Sequence, residues 1–171
     1  MSAPAGSRTG GLHLPVTLVT AWLLLTSPWV SLLRRIPAGA GWLDYAHVGL
    51  GLAALPLATA YAFACARGGG WRTYLPFLSG RMGVVARDLG QLLRGRIPSA
   101  EAGGLFALIE GLLLVALLAA AVTGAAWLAA AGGPAALDWR TWHLLAARIS
   151  AGLVVLHVVT VSLHHVELLR D

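Results

Sequence analysis

Lysine is absent from this chain, and charge of either sign is scarce. All twelve basic residues are arginine, seven residues are acidic, and charged residues make up 11% of the 171. A soluble domain carries about a quarter charged residues, so the composition excludes an ordinary water-facing surface. Sulfur is nearly as scarce. The one cysteine, Cys65, excludes an intrachain disulfide and any metal motif built on two cysteines. It reads as a small apolar residue near a helix end. No internal repeat and no low-complexity tract is present. The net charge of +5 does not mark a nucleic-acid binder, because the arginines stand mostly beside long apolar runs, where they orient a membrane protein.

What the chain has in quantity is hydrophobic residues, 58% of the total, gathered in long blocks. About 20 apolar residues cross the hydrocarbon core of a bilayer. Four blocks reach that length: Leu12 to Leu33, Tyr45 to Ala66, Leu105 to Ala131, and Trp142 to Val166. The first two hold no Asp, Glu, Lys or Arg; the third holds Glu110 and the fourth Arg148. Lipid gives backbone groups no partners, so each block is expected to be helical. The expected fold is all-α, an integral membrane four-helix bundle forming one domain over residues 1–171. Ala38-Gly39-Ala40 resembles a signal-peptide cleavage site, but the first block exceeds the usual apolar region of about 7–15 residues. We expect it to be a retained span.

The stretch between the second and third blocks carries Arg67, Arg72, Arg81, Arg87, Arg94 and Arg96 against Asp88 and Glu101. The positive-inside rule assigns it to the cytoplasm. Four spans then put both termini there, in agreement with Arg8 and Arg170. The other loops carry only Arg34, Arg35 and Arg140, and Trp29, Trp42, Trp139 and Trp142 gather at the expected outer boundary, as interfacial aromatics do. Within the long stretch, RMGVVARDLGQLLRG sets Met82, Val85, Leu89, Leu92 and Leu93 at helical spacing among Arg81, Arg87 and Arg94. That pattern predicts a short amphipathic helix lying on inner-leaflet lipid, with docking of a soluble partner as the alternative use. Gly83, Gly90 and Gly95 oppose the helix, at about 1 kcal/mol each.

The histidines sort by depth under this topology. The first helix runs outward, so His13 is near its inner end; the second runs inward, so His47 is near its outer end. The fourth also runs inward, with His143 outer and His157 deeper. Two pairs result, His47 with His143 and His13 with His157, each drawn from two helices. His143 and His157 are separated by about 21 Å of rise and about 3.9 turns, so they share a face. Two imidazoles stacked on one face, each with a partner at its own depth, suit two six-coordinate haem irons, and bis-imidazole ligation favours electron transfer over oxygen binding. Gly49 and Gly51 follow His47, and Gly152 precedes His157, where a flat macrocycle needs close backbone approach. His164 and His165, nearer the inner surface, are alternatives to His157 as ligand, or a polar cap that meets a quinone head group. No Cys-x-x-Cys-His is present, so the haem is expected to be held without a covalent link.

Leu12-His13, the AHVGLG run from Ala46 to Gly51, the loop RDLGQLLRGRIP, and WHLLAARISAGLVVLHVVTVSLHH from Trp142 to His165 together resemble the bacterial b561-type di-haem cytochromes and the related cytochrome b subunits of nickel-iron hydrogenases and formate dehydrogenases. That family has a His early in helix one, a His at the outer end of helix two, and two His fourteen residues apart in helix four. The chain carries Leu14 where Trp often follows the first of these. The resemblance implies two non-covalent haem b groups, the outer on His47 and His143 and the inner on His13 and His157.

The expectation for function is a bacterial inner-membrane carrier that passes electrons between a quinone or quinol and a redox partner, such as a hydrogenase or dehydrogenase subunit. Arg148, an intramembrane charge, is the candidate to neutralise a haem propionate, with Gly51 lining the cofactor. Glu110 is a candidate proton carrier to a quinone, or else an interfacial carboxylate. Two other readings remain open: a membrane anchor for a soluble enzyme with no redox role, and a transporter that binds metal ions through the histidines. Transporters tend to show inverted repeats and broken helices, and only Pro56 in the second block hints at a break.

Overall fold

The structure, a computed structural model, describes residues 5–67, 70–96, 98 and 103–168. Every regular element among them is helical. In chain order these are α1 (Ala5–Thr26), a 3-10 turn (Ser27–Trp29), α2 (Trp42–Ala66), α3 (Trp71–Tyr74), a second 3-10 turn (Pro76–Ser79), α4 (Met82–Leu93), α5 (Leu105–Ala129) and α6 (Ala136–Leu168). Four of them are long and apolar enough to cross a membrane, over Gly11–Trp29, Trp42–Ala66, Leu105–Ala129 and Ala136–Ser162. Only 6% to 28% of each of these stretches is buried inside the protein. Leu14, Leu25, Phe63 and Val155 are among the many large apolar side chains that face outward. A continuous apolar exterior is a liability in water and the normal state of a chain immersed in lipid.

The second and third apolar blocks match α2 and α5 to within a few residues. The first differs at both ends. Its apolar residues run to Leu33, but α1 stops at Thr26 because Pro28 has no N–H and disfavours α geometry in the residue before it. The chain tightens into a 3-10 turn and becomes extended at Val30. The hydroxyls of Thr26 and Ser27 donate back to the carbonyls of Trp22 and Leu24, at 2.7 and 2.9 Å, where the ending helix leaves acceptors unused. At its start α1 begins at Ala5, so His13 stands in the third turn rather than at the helix end. Similarly α6 begins at Ala136 rather than Trp142. Asp138 in its first turn suits the positive end of the helix dipole, and a polar residue there interrupts hydropathy without interrupting the helix. Pro15 and Pro56 lie inside α1 and α2, and neither ends its helix.

The chain divides into two compact units, residues 1–65 with 116–150, and residues 66–115 with 151–171. In the first, Val16, Ala58 and Leu117 form the core, with Leu57, Tyr61 and Leu118 packed on it. The coil between α1 and α2 is tied down through its own backbone. The carbonyls of Leu32, Leu33 and Arg34 accept from Arg140 Nε (2.7 Å), Trp127 Nε1 (2.8 Å) and the Gly132 N–H (2.8 Å) in turn. The Asp44 carboxylate, buried in the first turn of α2, accepts the N–H groups of Ser31 (2.8 Å) and Gly41 (3.0 Å). Buried backbone groups require such partners, all the more so near lipid.

The second unit is organised around α4 and the start of α5. Asp88 on α4 is buried, and its Oδ2 accepts the Leu105 N–H at 2.8 Å, supplying one of the partners that the first turn of α5 lacks. Gly111 on α5 lies directly against the carbonyl of Tyr74, where any Cβ would collide with backbone atoms. The guanidinium of Arg72 stacks over the Trp71 ring, 5.3 Å from its centroid.

Candidate functional site

His47 sits in the second turn of α2, one turn beyond Asp44, so the hydrogen bonds that fix the start of α2 also fix the height of this imidazole. His143 projects from α6 in the same unit. Their ring centroids are 6.2 Å apart and their planes are nearly perpendicular, at 87°. Both rings are half-buried.

The two imidazoles have different surroundings. His143 Nδ1 is 2.9 Å from the carbonyl oxygen of Ala120 on α5. A carbonyl only accepts, so Nδ1 carries the proton, and the Nε2 of a neutral ring keeps its lone pair for a ligand. A backbone carbonyl on the distal nitrogen is the usual orienting partner of a metal-bound histidine. Gly124, one turn along α5 from Ala120, makes the approach possible. A Cβ there would stand 3.1 Å from Nδ1 and 3.2 Å from Cε1 of His143. His47 Nδ1, by contrast, is buried with no hydrogen-bond partner. A polar atom left that way costs about 1–3 kcal/mol unless something on the ring compensates.

The spacing can be tested against a shared metal. Two metal–imidazole bonds of about 2.0–2.1 Å, plus the distance from nitrogen to centroid in each ring, put the centroids about 6 Å apart. The observed 6.2 Å agrees. Among the described residues no third His, Cys, Asp or Glu joins this pair to form a metal site. A metal held by only two protein imidazoles would draw its remaining ligands from a macrocycle, and His47 and His143 are the residues that would hold it. The residues present therefore fit a bis-imidazole haem.

The other expected site residues are placed as follows. His13 is exposed on α1, and its ring meets Tyr61 edge-on, with centroids 5.9 Å apart. His157 is half-buried in the second unit, with Nδ1 4.0 Å from Glu110 Oε1. His13 and His157 belong to different units, and their pairing stands on the sequence pattern. The side chains of His164 and His165 lie outside the described residues. Arg148 is exposed on α6 and makes no ion pair among the described residues. Gly51 is half-buried, and around Gly49, Gly51 and Gly152 no protein atom lies within 4 Å of an added Cβ. Close protein approach therefore does not explain these three glycines. Among the described glycines, the one that lies against an imidazole is Gly124.

Ala120, Gly124 and Glu110 are the contacts that sequence reasoning missed. A signal existed for the first two: Ala116, Ala120 and Gly124 recur at four-residue spacing, a stripe of small residues along one face of α5 that admits close neighbours. For Glu110 the sequence offers a candidate proton carrier or interfacial carboxylate inside an apolar block, with nothing to pair it with His157. The chain matches no family model, no curated protein and no solved structure.

Proposed function

We propose that this chain is a membrane-bound di-haem b-type cytochrome that transfers electrons between a quinone or quinol and a redox partner. The observation that carries the reading is the His47–His143 pair. Its rings stand 6.2 Å apart and nearly perpendicular, one with its distal nitrogen committed to a backbone carbonyl and the other with a buried nitrogen unpartnered. When bound, haem would supply a one-electron redox centre, held by His47 and His143. The chain's part is to hold the ring planes, fix the tautomer of His143 through Ala120, and surround the site with apolar side chains. Arg148, near His143 on α6, offers a cation to a propionate.

The second haem belongs to the same proposal and draws on His13 and His157 from the sequence pattern. So does the orientation, with the arginine-rich stretch and both termini in the cytoplasm, α4 resting on inner-leaflet lipid, and the protein in a bacterial inner membrane. Interleaved Arg81, Arg87 and Arg94 beside exposed Met82, Leu89 and Leu93 support the placement of α4.

A reduced-minus-oxidised visible spectrum of the purified protein tests the reading. The expected result is a sharp b-type α-band with two haems per chain, one of which is lost in His47→Ala and in His143→Ala. A protein that stays colourless after expression with ample haem would overturn it.

A further inference from the structure

α5 carries no histidine, yet it supplies an oxygen to the Nδ1 of both His143 and His157 on α6. His143 meets a neutral group, the Ala120 carbonyl at 2.9 Å. His157 meets a carboxylate, Glu110, at 4.0 Å. That distance is too long for a hydrogen bond and within reach of an ion pair. Its alignment is helped locally: Glu110 precedes Gly111, which is held hard against the Tyr74 carbonyl, and the Thr160 hydroxyl donates to the His157 carbonyl at 2.9 Å. The start of α5 is in turn fixed by Asp88. Glu110 is therefore built into a constrained segment and does not hang from a loop.

We infer that Glu110 is a positioning residue that poises the haem held by His157 at a lower reduction potential than the haem held by His143. The inference rests on the reading above. At 4.0 Å the carboxylate acts on the imidazole through its charge and not through a hydrogen bond. Its negative charge also favours the more positive, oxidised iron over the reduced one, and does so more strongly in apolar surroundings than in water. A backbone carbonyl orients its ring without adding a net charge. The two α6 imidazoles thus differ in the charge of their partner on α5.

Potentiometric titration of the detergent-solubilised protein, followed at the α-band, tests this. The wild type should show two one-electron waves, and the single wave left in His143→Ala should be the lower. Glu110→Gln keeps the size and removes the charge. It should ease reduction at the lower wave by at least tenfold in equilibrium constant, 59 mV for one electron, and leave the upper wave in place, while Glu110→Asp keeps the lower wave near its wild-type position. The inference is overturned if Glu110→Gln moves neither wave, moves both together, or moves only the upper. If Glu110→Gln sheds one haem, retention of that haem at unchanged potential in Glu110→Asp upholds the role of the charge; loss in both variants overturns it. A colourless wild type removes the parent reading as well, whereas a two-wave wild type with an unresponsive Glu110→Gln removes this inference alone.

Discussion

The carbonyl of Ala120 accepts the Nδ1–H of His143 at 2.9 Å, and Gly124, one turn along the same helix, leaves the space in which that ring stands. Because the carbonyl decides which nitrogen holds the proton, a residue with no polar side chain controls the chemistry of the histidine. The support of the candidate site is therefore a matter of backbone and of missing side-chain volume.

Gly124→Ala tests that dependence. The new methyl would lie 3.1–3.2 Å from two atoms of the His143 ring, tighter than ordinary contact, so the ring must shift away from the Ala120 carbonyl or toward His47. Loss of a ligand's orienting partner weakens metal retention by about 10–100-fold. The expected outcome is selective loss or broadening of one haem signal in the reduced-minus-oxidised spectrum. Gly83→Ala on the exposed face of α4, where an added Cβ meets nothing within 4 Å, should leave the spectrum unchanged.

Asp44 makes the next prediction. It is buried and accepts from two N–H groups that have no other partner among the described residues. Asp44→Ala orphans both, at about 1–3 kcal/mol each, and loosens the first turn of α2, on which His47 stands. Asp44→Asn keeps one oxygen acceptor and should cost less. A ranking of wild type above Asn above Ala, in both thermal midpoint and retention of the haem assigned to His47, is the expected result. Equal retention in all three would separate the cap from the site.

The spans and the proximity of His47 to His143 were legible in the sequence for a physical reason. Hydropathy is a sum over many residues and tolerates local error, so Tyr45–Ala66 and Leu105–Ala131 fall almost on α2 and α5. Depth follows from helix direction, so His47 and His143 could be paired before any coordinates. Helix ends were less legible, because single residues decide them: Pro28 stops α1 short of the apolar run, and Asp138 and Arg140 mask six residues of α6. The supports of the site were hardest to read. A carbonyl acceptor such as that of Ala120 has no signature of its own, since every residue carries one. The approach of Glu110 to His157 depends on the rotation of α5 and α6, which an almost uniformly apolar sequence does not encode.

Trp127 separates stability from cofactor binding. It is almost wholly buried, and its indole N–H donates to the Leu33 carbonyl at 2.8 Å, across 94 residues of sequence. Trp127→Phe retains most of the apolar contact and leaves that carbonyl without its donor, a loss of about 1–3 kcal/mol. A lower thermal midpoint in detergent with an unaltered α-band is expected. A simultaneous loss of haem would mean that the coil from Val30 to Gly41 helps to hold the site.

Gly111→Ala should be the most damaging glycine-to-alanine change among the described residues. The Cβ of an alanine there would meet the carbonyl oxygen and carbon of Tyr74, and backbone atoms cannot rotate away as a side chain can. Overpacking of a fixed contact costs about 1–3 kcal/mol, occasionally more. Because Tyr74 ends α3 and Gly111 adjoins Glu110, the strain has two outlets, separation of α3 from α5 or a turn of α5 about its axis. A turn of α5 moves Glu110 relative to His157. Gly111→Ala should therefore lower the thermal midpoint and also shift the lower redox wave in the direction of Glu110→Gln. The double variant Gly111→Ala with Glu110→Gln should shift that wave no further than Glu110→Gln alone. An additive shift would mean that the glycine acts on the potential by a route other than the carboxylate.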